Sequence, residues 1–176
     1  MKNAFTSLTN TNYFFDVSND AFQEGLDRFA QFFISPNFSI NGAEREVKAV
    51  NSEFNQSLQS DQWHMFNLYQ SLSNPEGRLN RLTCGNAETL SQPGIRDSLL
   101  EFHKKWYSAN IMTLTVQGKE DIETLEKWVR ESFSDIENKD VVLPNLGEPK
   151  PYGEKELKKV VKFEPVQDKK SLMMLW

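Results

Sequence analysis

Glu46 and Glu53 stand seven residues apart in the run Glu44-Arg45-Glu46-Val47-Lys48-Ala49-Val50-Asn51-Ser52-Glu53. On a helix this spacing puts both carboxylates on one face, about 10 Å apart along the axis. Val50 lies between them, and a carboxylate beside core residues is costly unless a donor or cation satisfies it. Such a pair can serve a metal or a proton transfer. By spacing alone the commoner reading is two solvated glutamates at a helix border. The two histidines, His64 and His103, each lack a second histidine four residues away. If Glu53 and His64 share one helix, about 16 Å of rise separates them, too far to share an ion whose ligand bonds are about 2 Å. His103 reads as a helix residue, partly buried or at the surface. Cys84 has no histidine or acid recognisable beside it in sequence, so a nucleophilic role is not expected. Gly85 and Gly118 are isolated and make no phosphate loop.

The elements that must position these groups follow from pattern. Asn3 to Ser7 and Asn12 to Val17 read as two strands of a hairpin around Leu8-Thr9-Asn10-Thr11. Asp20 with Gln23 forms a capping-box signature, and Phe22, Leu26, Phe29, Ala30 and Phe33 continue as a helical stripe that ends before Ser35-Pro36. Asn41 with Glu44 opens a second helix whose buried face is Val47, Val50, Phe54 and Leu58. It is expected to run on through Trp63, Phe66 and Tyr69. Ser71 to Gly94 reads mostly as ordered loop. Helices are expected over Ile95–Tyr107 and Asp121–Ile136, and strands over Ile111–Gln117, Lys159–Phe163 and Ser171–Trp176. Residues 138–153 hold three prolines and two glycines and read as a surface connector. This order indicates an α+β fold of two layers, a largely antiparallel sheet with helices packed on one face.

The segment from Glu44 to Glu53 resembles the second metal-ligand helix of the inverted-zincin peptidases, family M16. Other segments resemble the same family, in its insulysin and nardilysin forms: Asn3-Ala4-Phe5-Thr6-Ser7 with Thr11 to Val17, Leu26 to Phe33, Gly85 to Leu90, Phe102-His103 with Trp106 to Met112, and Leu125 to Trp128. The resemblance implies a zinc metalloendopeptidase that hydrolyses peptides. It implies Glu53 as a zinc ligand and Glu46 as its supporting acid. Asn3, Ala4 and Phe5 are implied to pair edge to edge with a peptide substrate, with Trp63 and Phe66 bordering the cleft. Core packing is an equal alternative for those two aromatic residues.

The sequence departs from the family pattern in one respect: it contains no His-x-x-Glu-His, the source of two zinc-binding histidines and the general base. One carboxylate does not make a tight zinc site, which needs about three protein ligands. The expectation is therefore a partial first catalytic domain over residues 1–176, without part of it at either end and inactive alone. No zinc is expected to bind tightly to this chain. One alternative is a non-catalytic relative acting as a peptide-binding or subunit-interaction module, possible through self-association of exposed strands. Another is that the missing helix arrives from a second polypeptide.

Bulk composition narrows the partners. The chain has 176 residues, a net charge of −5 and no basic block, so no nucleic-acid or anionic-membrane surface is indicated. Its single cysteine excludes an intrachain disulfide and any cysteine-rich zinc module. With no signal peptide read at Met1 and no apolar run of membrane-spanning length, an intracellular, cytoplasmic location is expected.

Overall fold

The Ser7 amide donates to the Asn10 carbonyl (2.8 Å) and closes a turn between β1, Lys2–Thr6, and β2, Thr11–Phe15. The strands are antiparallel, with Asn3 opposite Phe14, Ala4 opposite Tyr13 and Phe5 opposite Asn12. Asp16 donates its amide to Met1 (2.8 Å), so the Met1–Asp16 and Ser7–Asn10 positions are the hydrogen-bonded ones. Alternation then turns the peptide groups of Lys2, Ala4 and Thr6 toward the open edge of β1. The hairpin is the one the sequence pattern indicates, moved by one or two residues. The computed structural model describes residues 1–81, 84–147, 149–167 and 170–174.

The first helix, α1, spans Phe22–Ile34 and buries Leu26 and Ala30. It ends at Ser35, before Pro36, as expected. Its start differs from the Asp20–Gln23 capping box: Asn19–Ala21 form a 3₁₀ turn and Ala21 precedes the helix without a side-chain cap. Asp20 instead bonds Ser18, which lowers its carboxyl below the usual range.

The second helix, α2, spans Ile40–Ser57. Asn41 is not its cap. Ser39 is, with Oγ accepting the Gly42 amide at 3.2 Å. Nor does the helix continue to Tyr69. It stops at Ser57, and Ser60 accepts the Trp63 amide and starts a separate helix, α3, Asp61–Leu72. No Pro or Gly marks the break. It arises because a serine hydroxyl offers the backbone an alternative partner.

The stretch expected as loop contains a one-turn helix, α4, Ala87–Leu90. Helix α5, Ile95–Trp106, and helix α6, Ile122–Phe133, lie where the periodicity puts them. Asp121 caps α6 by accepting the Thr124 amide at 2.7 Å. The strand expected at Ile111–Gln117 is absent, as is that at Lys159–Phe163. Residues 171–174 also lie outside any strand, and 175–176 fall outside the described residues. β-branched residues favour extended backbone, but a strand needs a neighbouring ladder, and β1 with β2 is the sheet present among the described residues. The fold is α+β: among the described residues, a two-stranded antiparallel sheet with six α-helices. None of the described helices is long and apolar enough to cross a membrane.

The chain divides into two units, Met1–Ala43 with Pro93–Leu146, and Glu44–Gln92 with Gly147–Trp176. In the first, the inward rings of β2 meet α1: Phe15 lies 4.7 Å from Phe29 and Tyr13 lies 5.5 Å from Phe33. Phe29 also meets Phe133 of α6, and Phe22 meets Trp128. The second unit is held by polar ties. The Gln70 amide group donates to Arg81 (2.7 Å), and Tyr152 donates its hydroxyl to the Tyr69 carbonyl (2.8 Å).

Candidate functional site

Helix α2 carries the paired acids. Its half-buried positions include Val47, Val50, Asn51, Phe54 and Ser57, which form the inward stripe. Glu46 and Glu53 are both exposed, two turns apart on the flank of that stripe. Both carboxylates are thus presented to the surface by a helix fixed along its other side.

Asn51, two residues from Glu53, accepts the Ala87 amide at 2.8 Å and so fastens α4 to α2. Sequence reasoning missed this contact. Its signal is an amide side chain on the inward stripe, between Val50 and Phe54. Asn86 and Thr89 form a capping box on α4. Cys84, just before this turn, is half-buried near Glu53. Burial first, and the Glu53 carboxylate second, push its thiol pKa up. Both effects oppose the thiolate, the reactive form.

The histidines do not join this group. His64 is on α3, and its Nε2 lies 2.9 Å from the Leu58 carbonyl. With α2 and α3 separate, helical rise no longer decides the His64–Glu53 question; the backbone bond engages that nitrogen instead. His103 is on α5, with its ring 4.3 Å from Tyr107 and 5.6 Å from Phe38. Its buried Nε2 has no partner among the described residues. Among those residues no group of three or more His, Cys, Asp or Glu could hold a metal ion. The donors brought together among the described residues fall short of the roughly three that a zinc ion needs.

The packing of His103 makes a pH prediction. Burial first, and the Lys139 charge second, lower its pKa from the ordinary 6.5. The folded chain therefore binds this proton less readily than the unfolded chain does. The neutral ring's contribution is intact above about pH 6.5 and declines as pH falls below it. The thermal midpoint should drop between about pH 7.5 and 5.5, and His103→Phe should flatten that drop. An unchanged slope in the variant would assign the loss to other groups.

Asn3, Ala4 and Phe5 form the middle of β1. Asn3 and Phe5 share the sheet face turned away from Tyr13 and Phe15, while Ala4 faces with them. The Asn3 Oδ1 accepts the outward Ala4 amide at 2.9 Å. Trp63 and Phe66 lie one turn apart on α3. Phe66 is partly exposed, and the Trp63 indole Nε1 is buried without a partner among the described residues. An open groove of about 570 Å³ in the second unit is lined by His64, Asn67, Leu68, Ser71, Phe163, Glu164 and Val166. It includes neither acid of α2 and neither aromatic residue, so it does not mark the expected cleft.

Comparison with known proteins gives these features a common origin. Residues 1–76 match the family model "Insulinase (Peptidase family M16)", and residues 94–176 match "Peptidase M16 inactive domain". The insulin-degrading enzyme of Drosophila melanogaster is 45% identical over 97% of this chain, which covers 18% of that protein. The human insulin-degrading enzyme is 42% identical over 97% of this chain, covering 17% of that protein. The A-factor-processing enzyme of Saccharomyces cerevisiae is 40% identical over the same share, again covering 17%. The crystal structure of pitrilysin superposes with a TM-score of 0.77 at 32% identity, over 81% of this chain and 16% of that one. The chain thus spans less than a fifth of the length of these relatives. Two family models meeting on one chain, relatives at this identity and a shared fold lead to one statement: the chain belongs to peptidase family M16, of the insulysin type.

Proposed function

We propose that this chain contributes one zinc-binding carboxylate, Glu53, and a peptide-binding strand edge, β1, to a zinc metalloendopeptidase of insulysin type that hydrolyses peptides. The observation that carries this reading is the presentation of Glu46 and Glu53 on one exposed flank of α2, inside the segment matched by the insulinase model. Glu46 supports Glu53 from two turns away. Asn3, Ala4 and Phe5 hold substrate by strand addition to an edge whose outward peptide groups have no strand partner among the described residues. Trp63 and Phe66, in the second unit with Glu53, border a substrate cleft. In this reading the chain by itself is inactive, a view supported by the lack of a three-donor metal site among the described residues. An intracellular location belongs to this reading, supported by the single cysteine.

The test joins the chain to a polypeptide carrying a His-x-x-Glu-His helix and measures zinc-dependent cleavage of a labelled insulin B chain. Cleavage is expected only in the joined protein, and Glu53→Gln is expected to lower it by about 100-fold or more. Cleavage by the 176-residue chain alone, or indifference to Glu53→Gln, would sink the proposal.

The exposure of every residue of β1 favours a second reading, in which the chain is a non-catalytic peptide-binding or subunit-interaction module. Light scattering separates the two. A stable, specific oligomer supports the module, and a monomer supports the peptidase segment.

A further inference from the structure

We propose that the hydroxyl pair of Tyr13 and Tyr107 is the positioning device that sets the peptide-binding edge of β1 in place. This rests on the reading of β1 as a strand-addition site and adds the residues that hold it.

Strand β1 is exposed along its whole length, so its ladder to β2 is what holds it. Strand β2 docks on the helical layer through Tyr13 and Phe15, whose rings meet Phe33 and Phe29. Contacts between rings resist separation but are weakly directional, and a hairpin resting on them can rock. A hydrogen bond between two hydroxyls is directional and fixes depth and tilt together. Tyr13 makes such a bond with the Tyr107 hydroxyl, and it does so directly opposite Ala4, in the middle of the edge that would receive a peptide. Ala4 and Tyr13 form a non-hydrogen-bonded pair, the kind in which opposed side chains stand closest. Displacement of Tyr13 is therefore transmitted to the Ala4 peptide group.

Tyr107 is a suitable fixed post. It stacks on the His103 ring at 4.3 Å, and its amide donates to the His103 carbonyl at 3.0 Å. Lys139 Nζ donates to its carbonyl at 2.9 Å. The next residue, Ser108, is fully buried; its hydroxyl donates to Asn110 Oδ1 and accepts the Lys139 amide at 2.8 Å. Burial first, and the bond to Tyr13 second, push the Tyr107 phenol well above its ordinary pKa, so that hydroxyl keeps its proton at any working pH.

The experiment measures binding of a fluorescein-labelled insulin B-chain peptide to the 176-residue chain by anisotropy, alongside thermal stability. Four variants are compared: Ala4→Pro, Tyr13→Phe, Tyr107→Phe and the double Tyr13→Phe/Tyr107→Phe. Ala4→Pro puts a ring carbon where the outward amide stood, which an edge strand tolerates but which blocks the close approach of a guest strand along the whole edge, and it should abolish saturable binding. Each tyrosine variant should weaken binding about fivefold, by lowering the fraction of chains whose edge is correctly set. The double variant should also be about fivefold weaker rather than the product of the two, since both single changes remove one interaction. It should, however, recover most of the stability lost in either single variant, because no hydroxyl is left unpaired. Affinity recovering together with stability, or affinity unchanged in all three tyrosine variants, would overturn the positioning role and leave the strand-addition reading standing. No saturable binding by the parent, or binding indifferent to Ala4→Pro, would overturn the strand-addition reading and this proposal with it.

Discussion

Zinc titrated into the 176-residue chain at neutral pH should reach no stoichiometric endpoint, with an apparent Kd weaker than about 100 µM. Sites with a full set of protein ligands gain about 10–16 kcal/mol from zinc, which corresponds to a Kd between about 50 nM and a few picomolar. A single exposed carboxylate supplies little of that, because water competes for every remaining coordination position. The other candidate donors are engaged or unhelpful. His64 Nε2 sits at hydrogen-bond distance from the Leu58 carbonyl. His103 is packed against Tyr107 and Phe38. The thiol of Cys84 is held protonated by burial and by Glu53 itself. Competition with a chromophoric chelator provides the measurement, and Glu53→Gln should leave the curve unchanged. A one-to-one complex of nanomolar affinity that disappears in Glu53→Gln would show that the chain assembles a site from its own residues.

Replacing Phe29 by alanine should destabilise the first unit by about 3 kcal/mol. The ring lies 4.7 Å from Phe15 of β2, 5.3 Å from Phe33 and 6.4 Å from Phe133 of α6, centroid to centroid. It therefore joins the hairpin, α1 and α6, and its loss opens a cavity at their meeting point. Phe32, three residues on and 61% exposed, is the control; Phe32→Ala should change stability by no more than about 0.5 kcal/mol. Urea midpoints followed by circular dichroism would check both. Equal effects of the two substitutions would mean that Phe29 is not the centre of this core.

Helical periodicity carried most of what the sequence could say. The stripe of Phe22, Leu26, Phe29 and Phe33 identifies α1 because its spacing matches the turn of the helix, and Leu26 is indeed buried. The boundaries were harder, because Ser, Asp and Asn have similar capping tendencies. Asp20 and Asn41 look as suitable as Ser39 and Ser60, and only the folded backbone shows which hydroxyls receive an amide. The break at Leu58–Ser60 has no Pro or Gly to announce it, so one long helix was the natural expectation. The extended segments at 111–117 and 159–163 show the other limit: β-propensity reads a backbone shape, whereas a strand also requires a partner distant in sequence. For the site, the shared flank of Glu46 and Glu53 follows from their spacing. The approach of Cys84 to Glu53 and the bond from Asn51 to Ala87 join distant positions, and periodicity does not report them.

The Asn3 side chain already satisfies the Ala4 amide, so an arriving chain exchanges one acceptor for another at that point and gains little there. Net attraction must come from the flanking outward groups of Lys2 and Thr6, about 13 Å apart at the rise of a strand. A guest of two or three residues cannot reach both. Short oligopeptides, including the products of cleavage, should therefore leave readily, while longer chains remain.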